Sequence, residues 1–140
     1  MYEPIRGTSV HSTTNRTSSD FPHRSREEEL DIQLAGHLAA LLAVTDELRA
    51  LAPADDLDIA ADRLAGQVAR LRAGQAPARV PVTAARADAR PAGLHRRAHT
   101  LASRALVVAA SRADTAVAIL TAERMDAHSA ALEPRELASR

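Results

Sequence analysis

The sequence predicts an all-α fold, an antiparallel bundle of three long helices, or of four if the last helix breaks near Ser111. A heptad of mostly aliphatic residues runs through residues 30–51, and this spacing keeps one stripe of a helix against a partner helix. Tyr2 and Phe21, the aromatic residues, precede that segment, so aliphatic side chains and alanine must build the core. The heptad positions are Leu30, Leu34, His37, Leu41, Val44, Leu48 and Leu51.

The first predicted helix begins near Ser25 and ends near Leu51. Ser25 is followed three residues later by Glu28, which is the pattern of a capping box. Ala52-Pro53 stops the helix, because a residue before proline disfavours the helical conformation. Two further leucines beside the heptad widen the apolar face, so the sequence predicts that this helix contacts two neighbours.

The wide apolar face of the first helix predicts a surface for self-association, because a hairpin with the second helix alone would not cover it. We expect this surface to bind a second copy, as a homodimer, or another protein. Its candidate interface residues are Leu34, Leu38, Leu41, Leu42 and Leu48.

The second predicted helix starts at Asp55 or Asp56 and ends near Gly74, the expected C′ residue. The connection after the first helix is short, so the two helices form an antiparallel hairpin. Residues 75–92, with three prolines, form a basic linker, in which 83–90 either stay extended or form a short helix capped by Thr83.

The third predicted helix starts near Pro91 or Ala92 and reaches about Leu132, where Glu133-Pro134 ends it. Arg112 falls on its apolar seam, and the apolar face then shifts. Ser111 followed by Asp114 is a possible second capping box there. The segment is therefore either one long helix or two, over 92–110 and 112–132.

The chain divides into three parts by pattern. Residues 1–24 are polar with no hydrophobic period, which predicts a disordered tail. Residues 25–133 form the helical bundle domain, and 134–140 form a mobile C-terminal tail. A bundle of this size gains stability by dimerising, which favours a homodimer.

Charge and composition narrow the classes of function. All 18 basic residues are arginine, and 18 acidic residues balance them. Arginine in place of lysine, with abundant alanine, is typical of a GC-rich genome such as that of an actinobacterium. Neutral net charge disfavours a dedicated nucleic-acid or anionic-membrane binder. The absence of cysteine fits a reducing cytoplasm, and no apolar run is long enough to span a membrane.

Histidines supply the candidate metal ligands. His95 and His99 lie four residues apart, so both imidazoles fall on one helix face and could share a metal. A site needs more ligands. His37 is one candidate, and His128 with Asp126 could serve if a dimer or a folded-back helix brought them near. The less specific interpretation is two exposed histidines, and it is the one we favour. His37 itself, within the heptad, is expected to be half-buried.

Arginines recur every seven residues on the third helix, at Arg90, Arg97 and Arg104. We call these three residues the arginine stripe. The simplest interpretation is a solvated helix face. The alternatives are docking onto an acidic surface, such as the acids at 27–31, or association with nucleic acid, although a core without aromatic residues offers no platform for base stacking.

No motif for catalysis, phosphate binding or dense metal ligation is present in the sequence. We therefore expect no enzymatic activity and no cofactor. The sequence predicts a non-enzymatic interaction module, with a metal-binding bundle and a nucleic-acid-associated protein as the two alternatives.

Overall fold

The computed structural model describes residues 25–79 and 90–138, which form four helices and no strand. They are α1 (Arg26–Leu51), α2 (Asp55–Leu71), α3 (Pro91–Arg112) and α4 (Thr115–Ala138). The predicted all-α bundle is confirmed, in its four-helix version. The predicted tail over 1–24 and most of the predicted short helix over 83–90 lie outside the described residues.

Helix α1 begins as the capping box predicts. The Ser25 hydroxyl accepts a hydrogen bond from the backbone N–H of Glu28 at 3.1 Å, and the Glu28 carboxylate accepts one from the Ser25 N–H at 2.8 Å. Both bonds satisfy donors that the first helical turn leaves unpaired. The helix ends at Leu51, as Ala52-Pro53 predicts.

Helix α2 ends earlier than predicted. Its last residue is Leu71, and the left-handed residue that follows its cap is Ala73, with φ of 56°. The Gly74 N–H then donates to the Ala69 carbonyl at 2.7 Å. Gly74 therefore occupies the position after C′, with φ of 91°, rather than C′ itself.

The predicted break in the last long helix is present, at Ala113 and Asp114. Ala113 has left-handed φ and ψ of 58° and 36°, and the Asp114 N–H donates to the Ala109 carbonyl at 2.9 Å. The Asp114 carboxylate then accepts from the Val117 N–H at 3.2 Å. Asp114, rather than Ser111, is thus the residue that caps α4.

Helix α4 continues through Pro134 as far as Ala138, past Leu132, where the sequence predicts its end. A proline removes the backbone donor of its own position, and Pro134 lies within the last two turns, so little of the helix follows the lost hydrogen bond.

An ion pair shows the direction of α3 relative to α1. Arg112, at the end of α3, contacts Asp31, near the start of α1, at 3.0 Å, so these two helices are antiparallel. The short turns make α1–α2 and α3–α4 antiparallel hairpins. Consequently α2 and α3 run in the same direction.

Arg79, which follows α2, is held against α1. Its guanidinium donates two hydrogen bonds to the Asp46 carboxylate, at 2.7 and 3.1 Å, and Arg49 donates a third at 3.0 Å. Burial raises the pKa of Asp46, but the bonds from Arg79 and Arg49 outweigh it and hold that pKa below its usual range.

Three sides of the bundle are packed by aliphatic and alanine side chains. α1 packs on α2 and on α3, and α3 packs on α4, whereas α2 and α4 approach least closely. A column of alanines on α3 allows α1 and α4 to pack closely against it. Its four fully buried members are Ala98, Ala102, Ala105 and Ala109.

Candidate functional site

The five leucines that the sequence predicts as a self-association surface lie in the core of one chain. Four of them are fully buried and Leu42 is 2% exposed, because α2 and α3 both pack on α1. A partner reaches them only if the bundle opens. The fully buried four are Leu34, Leu38, Leu41 and Leu48.

His95, one of the two predicted metal ligands, meets His128 of α4. Their Nδ1 atoms lie 2.8 Å apart, and the ring centroids are 5.1 Å apart. The turn at Ala113 and Asp114 folds α4 back along α3, which brings together two histidines separated by 33 positions in the sequence. His99 lies one helical turn after His95 and is half-buried.

The inner face of α4 carries polar as well as apolar residues. Val117, Thr121, Arg124 and His128 follow one another at spacings of four, three and four residues, and all are buried. This spacing is the signal by which the sequence could have identified Arg124 and His128 as core positions. Thr121 satisfies its hydroxyl by donating to the Val117 carbonyl at 2.8 Å.

Arg124 determines which nitrogen of His128 carries the proton. Its Nη2 lies 3.5 Å from His128 Nε2, and because arginine only donates, Nε2 must be the acceptor. The neutral ring then carries its proton on Nδ1 and donates it to His95 Nδ1. His95 accepts at Nδ1, so its own proton lies on Nε2.

Arg124 is itself almost fully buried, and the carboxylate of Asp56 is its counter-charge. Arg124 Nη1 donates to Asp56 at 3.0 Å. The side chain of Arg124 is 5% exposed, and that of Asp56 is 67% exposed. Arg124 Nε is buried without a hydrogen-bond partner among the described residues. A buried donor without a partner destabilises the folded state.

This environment keeps His128 neutral. Burial is the main cause that lowers its pKa from 6.5 to about 3, and the positive charge of Arg124 and the nearby His95 and His99 lower it further. The carboxylate of Asp56 acts in the opposite direction and is outweighed. We refer to His95, His128, Arg124 and Asp56 together as the buried polar cluster.

The chemistry of the buried polar cluster disfavours a cation. Within residues 25–79 and 90–138, no three His, Cys, Asp or Glu side chains come together as a possible metal site. The guanidinium of Arg124 next to His128 also repels a cation bound there. The hydrogen bonds of the cluster instead join α2, α3 and α4.

The arginine stripe is exposed on α3. Arg90, Arg97 and Arg104 form no ion pair with any described residue. Arg112, just beyond them, contacts Asp31 of α1 at 3.0 Å, whereas the three arginines of the stripe make no contact of this kind with the acidic start of α1.

An apolar surface that the sequence analysis did not identify lies on the outside of the α3–α4 hairpin. It contains a groove of about 300 Å³, lined mainly by alanines of both helices. Ile119 lines the groove and is 53% exposed, and Val107, 67% exposed, lies one turn before the groove residue Ala110. We call this surface the hairpin face; it comprises Val107, Ala110, Ala113, Ala118, Ile119 and Ala122.

The chain matches no protein-family model, no curated protein and no solved structure. None of the helices over the described residues has the length and hydrophobicity required to cross a membrane.

Proposed function

We propose that the protein is a non-enzymatic self-association module, which forms a homodimer through the hairpin face. The observation that supports the proposal most directly is the exposure of Ile119, which lines an alanine-rich groove, together with that of Val107, one helical turn before the groove residue Ala110. A contiguous apolar surface of this kind on a small domain is typical of an interaction site.

A second copy is the occupant we propose for the hairpin face, because a two-fold axis lets an apolar face pack against itself. Ile119 lines the groove and is 53% exposed, so a two-fold axis can bring the Ile119 side chain of each copy against the groove of the other. Asp114 is the charged residue in the groove lining, and Arg70 already pairs with it at 2.7 Å. An apolar partner that binds this surface would therefore bury little uncompensated charge.

The structure changes which surface we propose, relative to the sequence-based expectation. The leucines of α1 contribute to folding of a single chain, and the hairpin face replaces them as the candidate interface. The absence of cysteine is compatible with a reducing compartment, and we propose the cytoplasm as the site of action.

The two alternative functions have less support. Metal binding by His95 and His99 is disfavoured by the pairing of His95 with His128 and by the nearby charge of Arg124. Association with nucleic acid would use the arginine stripe, which is exposed, but the net charge of the chain is zero.

Light scattering after size-exclusion chromatography tests the proposal on the full chain. We expect a dimer for the native chain and a monomer for the Val107→Asp, Ile119→Asp double variant. Ile59→Asp is the matched control, because Ile59 is similarly exposed, at 59%, but lies on α2. A native chain that stays monomeric at millimolar concentration, or a double variant that stays dimeric, would contradict the proposal.

A photo-crosslinking residue placed at position 119 distinguishes a second copy from another protein. Crosslinking in the source cells to a product of twice the chain mass supports the homodimer. A product of different mass that also forms at position 119, and not at position 59, would replace the homodimer with a different protein partner.

A further inference from the structure

One side of the bundle is joined in a different way from the other three. α2 and α4 pack least closely of the neighbouring helices. Among the described residues, three ion pairs bridge these two helices, and in each an arginine of one meets a carboxylate on the other or at its cap. We call this side the α2–α4 edge; its pairs are Arg63–Glu123 at 2.8 Å, Arg70–Asp114 at 2.7 Å and Arg124–Asp56 at 3.0 Å.

We infer that the α2–α4 edge is an electrostatic latch, along which the α1–α2 and α3–α4 hairpins separate reversibly while α1 and α3 stay packed. The latch is independent of the proposed dimer, because the hairpin face lies on the outside of α3 and α4. Its opening would uncover apolar side chains of both helices that the closed bundle hides, namely Leu64, Val68, Val117 and Leu120.

The exposure of two of its three ion pairs makes the latch weak. Arg63 and Glu123 are about half exposed, and Arg70 is 50% exposed although its partner Asp114 is not. Exposed pairs contribute little to stability and are screened by salt. The other three sides have more extensive packing of aliphatic side chains and alanines beside any ion pair, and salt does not weaken that packing.

The groups behind the latch also favour opening. Arg124 Nε has no hydrogen-bond partner among the described residues, and His128 is fully buried beside the Arg124 charge. His95 and His99 of α3 and Asp56 of α2 are the other titratable groups that face His128. Water that enters an opened edge can satisfy Arg124 Nε, which offsets part of the loss of apolar packing.

Spin-label distance measurements test the latch, and the absence of cysteine makes paired labelling straightforward. Ile59→Cys with Ala130→Cys reports on α2 and α4, and Ala43→Cys with Thr100→Cys reports on α1 and α3. All four positions are exposed. We expect a rise of NaCl from about 0.05 M to about 1 M to lengthen only the first distance, because that range shortens the screening length several-fold.

Removal of two exposed pairs should open the latch at low salt. Arg63→Gln with Arg70→Gln is expected to raise the open population about 2- to 30-fold. Arg49→Gln with Arg112→Gln is the matched control, because it removes the same charge from pairs that involve α1. It should leave the α2–α4 distance unchanged.

Two results would overturn the latch. One is an α2–α4 distance that responds neither to salt in the native chain nor to the latch variant. The other is an equal lengthening of both distances, which would indicate unfolding of the whole bundle rather than opening of one edge.

Discussion

His128 donates a hydrogen bond to His95 across the α3–α4 hairpin, with 2.8 Å between the two Nδ1 atoms. The direction of this bond follows from Arg124, which contacts the other nitrogen of the His128 ring and can only donate to it. A proton added to His128 would therefore face a positive charge in a buried site. Protonation of His128 therefore destabilises the folded chain.

Acid should destabilise the protein through His128. The pKa of this ring is about 3 in the folded chain and 6.5 in the unfolded chain, so the unfolded chain binds more protons between these values. Above about pH 6.5 the ring is neutral in both states, and His128 then does not lower the free energy of unfolding. As pH falls from about 6.5 toward about 3, that free energy decreases, with a slope of at most about 1.4 kcal/mol per pH unit. We expect His128→Gln to reduce this slope in urea unfolding measured from pH 7 to pH 4.

The control for the pH experiment is His37→Gln, because His37 lies on α1 outside the buried polar cluster. It should leave the slope of the native chain unchanged. Equal slopes for the His128 variant and the native chain would show that His128 does not couple protonation to folding.

Arg124 and Asp56 should respond unequally to substitution. Asp56→Asn leaves a buried guanidinium without its counter-charge, and we expect a loss of about 1–2 kcal/mol in the free energy of unfolding. Arg124→Met removes the buried charge and Nε together and leaves Asp56 in contact with water. We expect this variant to lose less than the first, or to gain stability.

Asp55→Asn provides the control for the Asp56 variant. Both aspartates lie in the first turn of α2, so both substitutions remove a favourable interaction with the helix dipole. Asp55 has no ion pair with Arg124. Equal losses for the two substitutions in chemical denaturation would mean that the Arg124 pair contributes nothing to stability.

The sequence predicted much of the fold because several boundaries carry strong local signals. Ser25 with Glu28, the Pro53 stop and Pro91 at the first position of α3 each act through neighbouring backbone groups. The end of α2 was harder to locate. Alanine at position 73 gives no signal for a left-handed conformation, whereas Gly74 next to it does.

The buried polar cluster could not be predicted, because it depends on the place where the last long segment folds back. Treated as one straight helix, that segment puts His95 and His128 far apart. The hairpin face was missed for a related reason. Ala110 and Ile119 belong to different helices, and they line one groove only after the chain reverses at Ala113.

Leu41 should be among the positions most sensitive to truncation. It is fully buried between α1 and its neighbours, so Leu41→Ala removes packed atoms and leaves a cavity. We expect a loss of about 3 kcal/mol in the free energy of unfolding, measured with urea. Leu51→Ala, at a heptad position that is 37% exposed, should cost less than about 1 kcal/mol. Similar losses at both positions would contradict the packing described for α1.

Ala113 should be a position where glycine stabilises the protein. Its left-handed backbone, with φ of 58°, brings the Cβ atom close to the following carbonyl oxygen, and glycine has no Cβ. The turn is nevertheless required, because the Asp114 N–H satisfies the Ala109 carbonyl only in this conformation. We expect Ala113→Gly to raise the free energy of unfolding by about 0.5–1 kcal/mol, after allowance for the greater freedom of glycine in the unfolded chain.

The matched control for Ala113 is Ala130→Gly, an exposed position inside α4. There the backbone is right-handed helix, so glycine brings only its entropic penalty and should lower the free energy of unfolding by about 0.5–1 kcal/mol. Thermal and urea unfolding of both variants measure the two effects. Opposite signs at the two positions would follow from the left-handed turn, whereas a loss at both would mean that the α3–α4 turn is not strained at Ala113.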